Sequence, residues 1–77
     1  MKNKIAGKRE IESAFKLLCK SIPKDSCATL EMEIKRFSTS GEIEVVYAAY
    51  CDNTNPRLVY ADTPLNAVNK LIERSEV

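Results

Sequence analysis

The chain reads as a small α+β protein, an α-β-β-(β)-α layered sandwich with an antiparallel hairpin sheet and two helices packed on one face. Three observations predict this. Apolar residues recur at helical spacing in two segments near the ends of the chain. Between those segments the apolar period drops to two. Clusters of Ser, Gly, Asn and Pro punctuate each change of period. A period of 3.6 marks one face of a helix and a period of two marks a strand with one covered side.

The first seven residues form a basic lead-in that ends at Gly7 and is expected to be flexible. Ile11, Ala14, Phe15, Leu18 and Ile22 then fall at i, i+3, i+4, i+7 and i+11, one stripe of a helix. Pro23 ends it, because proline lacks the N–H of the helical ladder and disfavours helix at the residue before it. Ala28, Leu30, Met32 and Ile34 alternate with Thr29, Glu31, Glu33 and Lys35, the pattern of a half-buried strand. Ser38-Thr39-Ser40-Gly41 makes a turn. A second alternation sets Ile43, Val45, Tyr47 and Ala49 inward, and Glu42, Glu44, Val46, Ala48 and Tyr50 outward. Two such strands across a short Gly-containing loop predict an antiparallel hairpin. After the turn Asp52-Asn53-Thr54-Asn55-Pro56, residues 57–61 form a short third strand. Thr63 and Pro64 then suit the cap and first position of a closing helix, whose apolar face is Leu65, Val68, Leu71 and Ile72. Ser75, Glu76 and Val77 are expected to fray.

Length and composition exclude a good deal. Seventy-seven residues hold one domain, and a core this small is thin, a common reason for such chains to recruit a partner. A hydrophobic content of 44% is enough to fold and argues against disorder. The chain has no histidine, which removes Ser-His-Asp and Cys-His catalysis within one chain, and His-ligated metal sites. The three cysteines, Cys19, Cys27 and Cys51, are odd in number and form no Cys-x-x-Cys pair, so they read as reduced thiols of a soluble, cytoplasmic protein. A zinc site of the three with Asp52 matches no ligand spacing, and no cofactor is expected. There is neither a signal-peptide pattern nor an apolar run of membrane-spanning length.

The net charge of +1 conceals a division. Residues 1–24 carry seven basic and two acidic groups, whereas residues 25–55 carry two basic and six acidic. Two candidate surfaces follow. The outward hairpin face shows Glu31, Glu33 and Glu44 beside Val46, Ala48 and Tyr50, an acidic end next to an apolar, aromatic end. Val, Ala and Tyr are ill suited to a face meant only for water, so this face is the leading candidate interface, for a second copy or a host protein. The alternative is the basic stripe Arg9, Lys16 and Lys20, joined by Lys24, which could meet nucleic-acid phosphates. Against that, Glu31 and Glu33 repel phosphate from the sheet. The helix-strand-strand-strand-helix order is shared with double-stranded-RNA-binding domains, yet Thr63-Pro64-Leu65-Asn66-Ala67 lacks their lysine cluster at the start of the last helix. A small anion at the Thr63 helix start is a third, weaker candidate. Glu31 and Glu33 lie about 7 Å apart on one strand face, a spacing known from paired catalytic carboxylates, but an open sheet has no cleft to desolvate them. The chain therefore reads as non-enzymatic.

Arg57-Leu58-Val59-Tyr60-Ala61-Asp62-Thr63-Pro64-Leu65-Asn66-Ala67-Val68 resembles the closing motif of small phage and prophage "ABA sandwich" proteins, in which a short strand runs into Ala-Asp-Thr-Pro and an apolar helix. The leading helix and central hairpin fall where that family has them. The resemblance implies a layered α-β-α fold and a phage or prophage origin, in the host cytoplasm. It implies no enzymatic activity, and by analogy an accessory protein that binds a host factor.

Overall fold

A computed structural model describes residues 5–36 and 39–75. Helix α1 spans Lys8–Ser21, strands β1, β2 and β3 span Ala28–Arg36, Ile43–Cys51 and Leu58–Ala61, and helix α2 spans Pro64–Ser75. The strands form one antiparallel sheet in the order β1-β2-β3, and both helices pack on the same side of it. This is the α+β layout expected from the periodicities.

The element ends follow local chemistry. Helix α1 stops where Ile22 turns extended ahead of Pro23. Helix α2 begins at Pro64, and Thr63 Oγ1 accepts a hydrogen bond from the Asn66 N–H at 3.0 Å, a regular N-cap. Gly41 takes φ +73° in the β1–β2 turn, a conformation that glycine adopts without the clash a Cβ would bring. The β2–β3 turn contains a cis Asn55–Pro56 bond. It is tied back to the start of β1: Asp52 Oδ1 accepts from the Cys27 N–H at 2.9 Å, and Asn53 Nδ2 donates to Ser26 Oγ at 2.8 Å. The residues of the expected lead-in before Ile5, Ser38 of the expected turn, and the last two residues of the chain lie outside the described residues. Within the lead-in, the Ala6 N–H donates to the buried Tyr47 hydroxyl at 2.7 Å.

The core lies between the helices and the inner sheet face. Ala14 and Leu18 of α1 and Ala67, Val68 and Leu71 of α2 meet Val45, Tyr47, Ala49 and Cys51 of β2 and Val59 of β3. Two expectations about its extent are corrected. Met32 and Ile34 point to the helix side, as the alternation requires, but remain 41% and 56% exposed, and Ile43 opposite Arg36 is exposed too. A 14-residue helix is roughly 21 Å long and a nine-residue strand about 30 Å, so the helices run out before the hairpin does. Phe15 and Leu65, expected in the core stripes of their helices, are also exposed, while Ala67 takes a core position.

Candidate functional site: the outer sheet face and its edges

Antiparallel register places the side chains of all three strands on one outer face. Glu31 lies opposite Ala48, Glu33 opposite Val46, Lys35 opposite Glu44 and Thr29 opposite Tyr50. Across the other side of β2, Ala48 pairs with Tyr60 and Tyr50 with Leu58. All six residues expected on this face are therefore on it, and no helix covers them. Leu58 and Tyr60 join them, each 44% exposed, and they widen the apolar end from one strand to two. The alternation in 57–61 sets Leu58 and Tyr60 on a common face, but which face that is depends on the register with β2, which only the structure shows. Ala48 contributes little contact area, being only 4% exposed between Glu31 and Tyr60.

A lysine joins the two ends of the face. Lys35 Nζ stands 3.3 Å from Glu33 Oε2 and 5.3 Å from the centroid of the Tyr60 ring. That carboxylate oxygen is hidden from solvent and has no hydrogen bond among the described residues, so the ammonium is its electrostatic partner. A cation over an aromatic face is attracted by the ring quadrupole. Lys35 thus holds the Tyr60 ring beside the acidic strand.

The rival features lie elsewhere. Arg9, Lys16, Lys20 and Lys24 are exposed, the first three on α1, on the opposite side of the sheet from Tyr50 and Tyr60. At the start of α2, the Thr63 hydroxyl is engaged as the cap, and Asp62 places a carboxylate there that accepts from Asn66 Nδ2. Cys51 is buried, while Cys19 and Cys27 are exposed and unpaired. Among the described residues, no group of three or more Cys, Asp or Glu side chains is placed to hold a metal ion. No helix among them is long and apolar enough to cross a membrane.

No family model, curated protein or solved structure matches this chain. The surfaces themselves carry the functional argument.

The sheet's two edges add a further piece of geometry. The Cys51 N–H donates to the Arg57 carbonyl at 2.9 Å, so residues 57, 59 and 61 turn their backbone groups toward β2, and residues 58 and 60 turn theirs outward. Lys70 Nζ of α2 caps the outward Tyr60 carbonyl at 3.0 Å. On the other side, the Asp52 N–H donates to the Cys27 carbonyl at 3.1 Å. By the same alternation, residues 28, 30, 32, 34 and 36 of β1 turn their N–H and C=O groups to the open edge. Beside that edge, Ile11 and Phe15 of α1 and Ala28 and Leu30 of β1 line an apolar groove of about 370 Å³, with Glu12 and Thr29 at its margins.

Proposed function

We propose that this chain is a non-enzymatic protein-binding module, phage-like in type and acting in the cytoplasm, whose docking surface is the outer sheet face. The observation that carries the reading is the cluster of Tyr50, Leu58 and Tyr60 with Val46 on an uncovered sheet face, flanked by Glu31, Glu33 and Glu44. Tyrosines give large, stiff contact area with a polar tip and are enriched where proteins meet. The partner that fits is a protein with an apolar knob and a basic rim, the knob on the tyrosines and the rim against the glutamates. The absence of histidine supports a binding role over catalysis. The likeness of residues 57–68 to phage and prophage sandwich proteins supports a host factor as the partner.

The second reading, a nucleic-acid-binding module, is supported by the exposed stripe Arg9, Lys16, Lys20 and Lys24. One experiment separates the two. Capture from bacterial lysate is run with the parent chain, with Tyr60→Glu plus Tyr50→Glu, and with Lys16→Glu plus Lys20→Glu, in nuclease-treated and untreated lysate. A protein lost only with the tyrosine variant supports the sheet face. Loss only with the lysine variant, or only after nuclease, sinks it.

A further inference from the structure

We propose that the open edge of β1 pairs antiparallel with β1 of a second copy of this chain, making one continuous six-stranded sheet. This goes beyond the outer-face reading and uses different atoms, the outward backbone groups of β1 and the groove beside them.

β1 lacks most of the devices that usually close an edge, and its one inward-facing charge, Arg36, stands at its last residue. The strand is nine residues long, carries no proline or glycine, and keeps unbroken register with β2. Charged side chains do occur on it, but Glu31, Glu33 and Lys35 all lie on the outer face. No charge points inward from residues 28–34, so the inward side of the edge is apolar along that length.

The occupant follows from the edge's own asymmetry. Its first half has an apolar groove beside Ile11 and Phe15. Its second half has two bare apolar side chains on the same face, Met32 and Ile34. A two-fold axis across an antiparallel pair sets the first half of one strand against the second half of the other. Each copy then supplies knobs to its partner's groove. A second copy therefore carries the apolar side chains that this edge lacks cover for.

Charge selects the register. Pairing centred on Met32 sets Glu31 opposite Glu33 of the partner twice over, and pairing centred on Glu31 sets that residue against itself. Pairing centred on Leu30 sets no like charges opposite one another along Ala28–Met32, and its one like pair, Arg36 with the partner's Lys24, falls at the far end where the partner's strand has not yet begun. It sets Thr29 opposite the partner's Glu31 and Ala28 opposite the partner's Met32. Met32 therefore faces the partner's groove, Ile34 falls just beyond it opposite the partner's Ser26, and Lys35 runs out alongside the partner's Asp25. In this register the N–H groups of Ala28, Leu30 and Met32, all directed outward, find carbonyls across the axis.

The test joins mass to amide exchange. Sedimentation of the full chain over a dilution series is expected to show a monomer–dimer equilibrium. Hydrogen exchange by NMR is expected to show the Ala28, Leu30 and Met32 amides protected in the dimer and released on dilution. Met32→Lys with Ile34→Lys adds inward charge at two exposed positions and is expected to abolish the dimer while leaving the thermal midpoint of the dilute protein in place. Tyr60→Glu, which impairs the outer face, is expected to leave the dimer intact. A one-chain mass up to high micromolar concentration overturns the proposal. So does a dimer in which those three amides exchange as freely as exposed ones, whatever the variants do.

Discussion

The two edges of this sheet face the same chemical problem and meet it differently. Each presents a row of backbone N–H and C=O groups that β2 does not use. At β3 the strand is only four residues long, and a lysine reaching down from α2 caps the Tyr60 carbonyl. At β1 the strand is nine residues long, unbroken in register, and bordered by an apolar groove and two bare apolar side chains. Helix α2 lies over β2 and β3 and contributes three residues to the core, Ala67, Val68 and Leu71. Helix α1 contributes two, Ala14 and Leu18, and leaves the end of β1 uncovered. The edges differ in length and in cover. An edge is closed when a neighbouring element is long enough and correctly charged to reach it.

The largest test of that contrast compares a covered with an uncovered apolar side chain. Leu71→Ala, in the core under α2, is expected to cost about 2–5 kcal/mol. Ile34→Ala, on the bare end of β1, is expected to change stability by less than about 0.5 kcal/mol. Urea unfolding in dilute solution reads both, and equal losses would mean that the two ends are covered alike.

A smaller effect is expected where β3 hands over to α2. Thr63→Ala removes the acceptor of the Asn66 N–H and is expected to cost about 1 kcal/mol, most of which Thr63→Ser should recover. The cap anchors the helix that closes the β3 edge, so backbone exchange in β3 should quicken with the loss.

Tyr47→Phe should cost a similar or slightly smaller amount, about 0.5–1.5 kcal/mol, because it removes the acceptor of the Ala6 N–H and leaves the ring in place. Faster exchange of the Ala6 amide, with the rest of the core unchanged, would confirm that this bond holds the approach to α1.

The smallest effect on stability is expected from Lys70→Ala, within about 0.5 kcal/mol. Its informative readout is mass. With Tyr60 uncapped, association at high concentration is expected to exceed that of the parent chain, because the β3 edge is then open as well. An unchanged mass would show that the shortness of β3 closes that edge without the lysine.

Much of this was legible in the sequence, for reasons that can be named. The alternation through Ala28–Arg36 and Ile43–Cys51 set which side chains share a face, because a strand's period is two and a hairpin preserves it. Thr63-Pro64 marked the start of α2 because capping is a local interaction. The outer face was legible as far as Tyr50, but not to Leu58 and Tyr60, whose place depends on which way β3 pairs. The exposure of Met32, Ile34 and Phe15 could not be read from period, since a stripe shows which way a side chain points and not what lies above it.

The sequence by itself determined the identity and order of the elements, the inward and outward faces of β1 and β2, the absence of histidine chemistry, and the split between a basic first helix and an acidic hairpin. Those properties arise from neighbours a few residues apart or from composition. The tertiary structure alone decided that β1 is the edge strand beside α1, that Lys70 reaches the Tyr60 carbonyl on the opposite edge, and that a groove lies at one end of β1 and bare side chains at the other. These are properties of cover and reach between elements distant in the chain, and they exist only once the helices have been laid on the sheet.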